Sequence, residues 1–314
     1  MTFVPSDRAL QDHLVRITER AAVAARDLVG SGDKLAVDGA AVRAMRRAFA
    51  SAPVAARIVV GEGEKDEAPM LYGGEMLGTG GPEIDVAVDP VDGTRLAAEA
   101  LPGSVAVMAV ARRGALFDPA NVFYMEKLIS LAAGATLSLQ RSLTENLSIL
   151  ASDLGRPVSQ LRVAVQTRQR NQRYIDEVRA AGAIVVPFAD GDVVESLRAA
   201  RGEGVDLLIG IGGAPEGVLT AVAVAASGGH MQARLSPQTA GERDRADAAG
   251  QPYGAILRLD DLVASPGVFV LTAVTDAAGL AAPHVVDGAV VTESIVIDGV
   301  AEPRTVVRRH PMVP

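Results

Sequence analysis

The sequence predicts an α/β fold with mixed layers, in which helices alternate with sheets that carry both parallel and antiparallel strands. Three observations predict it. Residues 162–226 alternate short apolar runs with amphipathic stretches of helical period, the pattern of a doubly wound βαβ arrangement. Residues 105–110 and 115–117 flank Arg112-Arg113-Gly114, a hairpin signal that makes the sheet mixed rather than purely parallel. Beyond residue 252 the chain is strand-rich, with runs at 256–259, 268–273, 290–297 and 305–307. A chain of 314 residues that is 49% apolar can bury a large core as one domain, built from Ala, Val, Leu and Ile because aromatics reach only 3% and Trp is absent.

Taken in order, Leu10, Leu14, Ile17, Ala21, Ala24 and Leu28 recur at helical spacing behind Ser6, a good N-cap, and Gly30 and Gly32 end that helix. A second helix at 40–50 buries Val42, Met45 and Phe49 and leaves Arg43, Arg46 and Arg47 in water. Asp38 just before it reads, from the residues alone, as its N-cap. Strands at 57–60 and 84–88 follow, and 134–145 reads as a connecting strand and loop. Polar Gly155-Arg156-Pro157 marks a boundary between two lobes, about 1–155 and 156–314. In the second lobe, 162–166, 184–188 and 207–211 are strands, whereas 174–181, 193–201 and 216–226 are helices. The charged stretch 236–252 reads as a mobile surface loop.

Composition narrows the classes. A formal charge of -8 argues against a nucleic-acid or anionic-membrane surface, which would ask for clustered Lys and Arg. There is no Cys, so disulfides and thiolate chemistry are excluded. No basic-then-apolar leader pattern and no apolar run of membrane-span length is visible, and the expectation is a soluble cytoplasmic protein.

The chemistry concentrates in Asp89-Pro90-Val91-Asp92-Gly93-Thr94, which follows a buried run and trails the acidic segment Gly61-Glu62-Gly63-Glu64-Lys65-Asp66-Glu67. A strand ending in two carboxylates, with Pro90 forcing a turn between them, puts both acids at the strand's C-terminal end, where open α/β sheets bind ligands. Two anions that close repel unless a cation sits between them, and oxygen-only ligands suit Mg²⁺ or Mn²⁺ with substrate phosphate. Asp-Pro and Asp-Gly are also plain turn dipeptides. A turn, however, does not require a second acidic cluster one strand earlier, and strand 57–60 delivers Glu62 to where Asp89 and Asp92 emerge. Gly210-Ile211-Gly212-Gly213 lacks the third glycine of a dinucleotide fingerprint. With Pro215 opening a helix, it makes an anion cradle instead.

Further words complete a pattern: Asp33-Lys34 with Asp38 and Ala40-Ala41-Val42, Asp66-Glu67-Ala68-Pro69-Met70, Tyr124-Met125-Glu126-Lys127, Asp190-Gly191-Asp192, and Gly210 through Ala214-Pro215-Glu216-Gly217. In this order, from Leu14 to Arg234, they closely resemble the class II fructose-1,6-bisphosphatases of the lithium-sensitive sugar and inositol phosphatase superfamily. The resemblance implies a sugar-phosphatase fold of alternating helix and sheet layers, one catalytic domain over 1–314 with the active site between its lobes, and a dimer or tetramer. It implies a phosphoric monoester hydrolase that releases the 1-phosphate of fructose-1,6-bisphosphate with two or more Mg²⁺ or Mn²⁺ ions. As metal ligands it implies Asp38, Glu62, Asp89, Asp92 and Glu216, and as the pair that orients and deprotonates water, Asp66 with Thr94. As substrate groups it implies Asp92, Gly93, Thr94, Tyr124, Arg168, Arg170, Asp190, Gly191, Asp192 and Gly213.

The residues alone leave other readings open. Asp66 serves equally as a solvated loop acid, Arg168 and Arg170 as surface arginines, Asp190 and Asp192 as caps of the helix at Val193, and Glu216 as a complement to its helix dipole. The chain departs from the family at Asn171, where His is usual, in a shorter 236–252 segment, and at 272–278, where glycines are usual. Those departures leave room for sedoheptulose-1,7-bisphosphate, a sugar monophosphate or a cyclitol phosphate. From a different class, a catalytically silent metal-binding regulatory protein fits the same acids.

Overall fold

The computed structural model describes residues 3–62, 71–120, 122–133, 136–251 and 253–311. The chain divides into two units, Met1–Leu116 with Ser265–Pro314, and Phe117–Ala264.

The first unit begins with α1 (Arg8–Arg26) and α2 (Lys34–Ala50), which pack on each other and on a mixed sheet. Leu14, Ile17, Met45 and Phe49 are wholly buried there, each contributing about 1.5–3 kcal/mol relative to exposure. Asp7 rather than Ser6 caps α1, its carboxylate accepting from the Ala9 and Leu10 N–H groups at 3.0 and 3.3 Å. The second helix starts well before residue 40, because Asp33 caps it by accepting from the Ala36 N–H at 3.0 Å. Asp38 therefore lies inside α2 and is not its cap. Three and four residues before Ala41 and Val42, it flanks the buried stripe.

Next come β1 (Ala55–Val60), β2 (Met76–Leu77), β3 (Glu83–Asp92), α3 (Thr94–Ala98) and β4 (Val105–Arg112). The strands β1 and β3 are parallel, with Val60 opposite Ala87. The Asp-Pro-Val-Asp segment does not turn. It stays in β3, where Asp89 opposes Val107 and Asp92 opposes Val105, so that three steps on one strand match two on the other. That is a β-bulge, a place that tolerates Pro90 and its missing N–H. Residues 115–117 form no hairpin strand. Antiparallel pairing comes instead from β4 with β3.

The second unit holds β5 (Tyr124–Ser130), α4 (Leu143–Asp153), β6 (Arg162–Gln166), α5 (Gln172–Ala180), β7 (Ile184–Phe188), α6 (Val193–Arg201), β8 (Leu207–Gly213), α7 (Ala214–Ala226), β9 (His230–Leu235), α8 (Ala240–Ala248), β10 (Leu257–Arg258) and α9 (Leu259–Leu262). Its sheet runs β10-β9-β5-β8-β6-β7, with β7, β6 and β8 parallel and the others antiparallel. The predicted βαβ alternation is present. Two segments differ from expectation. The stretch before residue 145 leads into α4, opened by a capping box in which Ser142 and Glu145 each accept from the other's N–H. Residues 240–248, expected as loop, are α8.

The chain then returns to the first unit through β11 (Gly267–Ala273), β12 (His284–Val286), β13 (Ala289–Ile297) and β14 (Arg304–Pro311). Strand β11 pairs with β4, giving the order β12-β13-β11-β4-β3-β1-β2, with β14 also on β13. Residue 155, where the sequence suggests a boundary, lies within the second unit. The polar residues there belong to a surface connection between α4 and β6, whereas the contacts break at 116/117 and 264/265.

Candidate active site

In the first unit the acids gather at one sheet edge because β1 and β3 run in the same direction. Glu62 and Asp89 each stand two residues beyond the Val60–Ala87 pair. The Asp89 carboxylate accepts from the Val91 N–H at 2.9 Å, fastening the bulge on itself. Asp92 is 4% exposed at the strand's last position. Gly93 follows with φ +78°, a conformation that lets the chain pass from strand to helix, and a Cβ there would lie 3.1 Å from Leu96 Cδ1. Thr94 opens α3 and donates its hydroxyl hydrogen to the Val91 carbonyl at 2.9 Å, so the oxygen's remaining capacity is as an acceptor. The helix α2, which carries Asp38, packs on β3 and α3.

Asp66 lies outside the described residues. Among the described residues no three His, Asp or Glu side chains close into a metal-holding group. The donor set is nonetheless all carboxylate, the hard oxygen type that Mg²⁺ and Mn²⁺ take, so its chemistry fits those ions.

In the second unit the candidate substrate residues also stand at one edge. Arg168 and Arg170 follow the end of β6, Asp190, Gly191 and Asp192 follow β7, Gly213 ends β8, and Glu216 lies in the first turn of α7. Tyr124 starts the antiparallel β5 opposite Gly213, which brings it to the same edge. The chain passes from β6 to one side through α5 and back to the other through α6, so β6 and β8 flank a topological switch point, where such sheets bind ligands.

The side chains meet there. Arg168 donates to Asp190 at 2.6 Å. The Arg170 guanidinium stands 4.8 Å from the Tyr124 ring centre and donates to the Ile211 carbonyl at 2.9 Å and the Gln166 amide oxygen at 3.0 Å. Arg168 keeps an extended backbone just before a 3₁₀ turn that holds Arg170, and both are half-buried, not loose surface cations. Asp192 occupies the N-cap position of α6 yet makes no capping hydrogen bond. Its carboxylate takes the ammonium of Lys127 instead.

Glu126 and Lys127 stand inside one of the matching words, but the sequence pattern assigns neither a role. Both are buried, although both are charged and adjacent on a strand, where successive side chains face opposite sides. Each face must then supply a counter-charge, a signal that could have been read. Lys127 pairs with Asp192 on one side. On the other, Glu126 accepts from the Tyr174 hydroxyl and from Arg234 Nε at 2.9 Å, with Arg173 at 3.3 Å, and burial together with this carboxylate raises the Tyr174 phenol above its ordinary value. Asn171, which looked like a change in the substrate pocket, is a backbone clamp. Wholly buried, it donates to the Ile211 carbonyl at 3.0 Å and accepts from the Ile211 N–H at 2.7 Å.

Residues 8–310 match the family described as bacterial fructose-1,6-bisphosphatase, glpX-encoded. A Prochlorococcus marinus (strain NATL1A) protein named D-fructose 1,6-bisphosphatase class 2/sedoheptulose 1,7-bisphosphatase is 40% identical over 301 residues, covering 94% of this chain and 88% of its own. Its namesake from strain MIT 9303 is 41% identical over 301 residues, with the same 94% and 88% coverage. That from strain MIT 9313 is 44% identical over 261 residues, covering 82% of this chain and 77% of its own. The chain is a phosphoric monoester hydrolase. More narrowly, it belongs to the bacterial, glpX-encoded fructose-1,6-bisphosphatase family.

Proposed function

We propose that this enzyme hydrolyses the 1-phosphate of fructose-1,6-bisphosphate to give fructose-6-phosphate and phosphate, and that sedoheptulose-1,7-bisphosphate is its second substrate. The observation that carries this reading is the gathering of Tyr124, Arg168, Arg170, Asp190 and Asp192 at the carboxyl ends of parallel strands in a chain similar almost end to end to proteins bearing both names. Two guanidinium groups suit the phosphate that is not cleaved, and two carboxylates suit sugar hydroxyls.

Asp38, Glu62, Asp89, Asp92 and Glu216 would hold Mg²⁺ or Mn²⁺. Such ions, when bound, neutralise phosphate charge, acidify water and stabilise a leaving alkoxide. Asp66 takes a proton from the attacking water. Thr94, its own hydrogen committed to Val91, accepts the water's second hydrogen bond and fixes the line of attack. Water then forms the new P–O bond as the bond to the sugar oxygen breaks, and that oxygen leaves with a proton from solvent.

A panel of sugar mono- and bisphosphates, assayed by phosphate release with and without chelator, tests the proposal. Turnover of fructose-1,6-bisphosphate that stops in chelator and returns with Mg²⁺ or Mn²⁺ is the expected result. Full activity in excess chelator removes the metal part, and metal binding without turnover would indicate a regulatory protein. No described helix is long and apolar enough to cross a membrane, and a cytoplasmic homo-oligomer suits this reading, with light scattering reporting the assembly.

A further inference from the structure

We propose that Lys127 is a positioning residue for the sugar, holding one oxygen of the Asp192 carboxylate so that the other meets a substrate hydroxyl. This rests on the sugar-phosphatase reading above. Lys127 is 1% exposed in the middle of β5. A lysine so buried persists only when its charge is paired and its donors are used. Leu128 joins the core with residues of α4 and α5, so Lys127 points to the opposite face of the sheet, the side of β5 on which α6 and α7 pack. Its ammonium donates to Asp192 Oδ2 and, at 3.1 Å, to the Gly213 carbonyl. The neighbouring strand makes room for this pair. A Cβ on Gly212 would lie 2.1 Å from Asp192 Oδ2 and 2.9 Å from Lys127 Nζ, so only glycine leaves the pair in place.

Asp192 has surrendered the usual task of its position. It stands at the N-cap of α6 without capping it, and its second oxygen, Oδ1, is buried with no hydrogen-bond partner among the described residues. Asp192 also lines a cleft together with Lys127, Gln166, Asn171 and Phe188. A buried acceptor left unsatisfied loses its hydration without compensation and wants a donor. Phosphate is excluded as its partner, since carboxylate and phosphate repel. A divalent cation is disfavoured by the ammonium already on the same carboxylate. A neutral hydroxyl of a polyol phosphate satisfies Oδ1, and Lys127 sets the direction in which that hydrogen bond is offered.

The test compares wild type, Lys127→Met, Asp192→Asn and the double variant on fructose-1,6-bisphosphate and on p-nitrophenyl phosphate, an ester with no sugar hydroxyls. Each single variant is expected to raise KM for the bisphosphate about tenfold or more, with kcat/KM for the aryl ester falling by less. Because the two residues act as a unit, the double variant should be no worse than either single one. Unchanged bisphosphate KM in folded Lys127→Met, equal losses on the two esters, or losses that multiply in the double variant would overturn the inference. Should Lys127→Met fail to fold because Asp192 is left unpaired, the double variant against Asp192→Asn decides the same question: equal KM supports positioning, a further rise overturns it. A wild type that hydrolyses no sugar phosphate overturns the proposed function together with this inference, whereas an active wild type with an indifferent Lys127 overturns the inference alone.

Discussion

Glu19 on α1 is wholly buried against the first unit's sheet, with Arg308 Nε 3.2 Å from its Oε1, the Thr292 hydroxyl donating at 3.3 Å and His310 Nε2 3.7 Å from Oε2. Burial outweighs the Arg308 charge and lifts this carboxyl from 4.5 to about 7. Between those values the folded state keeps a proton that the unfolded state has lost, so stability falls as pH rises through the window. At about 1.36 kcal/mol per unit the loss is on the order of 3 kcal/mol. His310 works in the other direction. Burial, then Arg20, Arg308 and Arg16, hold it below its usual value, so its contribution is lost as pH falls. Glu19→Gln should therefore flatten the decline in melting temperature between about pH 5 and about pH 8, and parallel curves for the two proteins would show Glu19 already ionised in the fold. For Asn171→Ala, denaturant unfolding should show a loss of about 1–3 kcal/mol, the cost of leaving the Ile211 amide unsatisfied. For Asp66→Asn, kcat should drop by about 10² to 10⁴, the range for a general base, and near-normal turnover would make Asp66 only a loop acid.

At the scale of elements, periodicity is a good guide and hydrogen-bonded ends are not. Strands β6 and β7 and helix α6 lie where the apolar pattern puts them, because period and flanking polar residues agree there. The start of α2 is hidden by Gly39 and by two competing caps, Asp33 and Asp38, of which Asp33 accepts from the Ala36 N–H and Asp38 lies inside the helix. The Ser142…Glu145 spacing that opens α4 is a readable box that the apolar pattern alone misses. Ser142→Ala should cost about 1 kcal/mol, seen as a lower melting temperature, because the serine oxygen accepts from the Glu145 N–H and the exposed site offers little else to lose. The bulge in β3 is not legible in sequence, since Asp-Pro-Val-Asp reads as a turn until a partner strand shows two residues matched against three. It matters to the site because residues three apart in a regular strand face opposite sides, and the extra residue resets that alternation between Asp89 and Asp92.

For the molecule as a whole, the proposed function requires a second phosphate to be gripped by Arg168 and Arg170. Replacing both with Ala should lower bisphosphate kcat/KM by at least about tenfold, as each charge-assisted contact is worth roughly 1.5 to 3 kcal/mol, and monophosphate hydrolysis should suffer less. A wild type that prefers a monophosphate, with the double variant unaffected, would retire the bisphosphate reading. The segment 272–278, where the family usually carries glycines, would then draw attention, for Ala278 in it takes φ +52°.

The sequence by itself determined the α/β class, the strand and helix order of residues 162–226, and the residue types at the strand ends, because periodicity and short motifs are local and survive without a partner. Membership of the family rested on the same local words. Only tertiary structure decided where the chain divides, since the pairing of β11 with β4 joins residues more than a hundred positions apart and leaves no periodic trace. It alone decided that Asn171 grips a neighbouring strand and that Lys127 reaches Asp192, because a buried polar side chain is explained by whatever stands across the sheet from it.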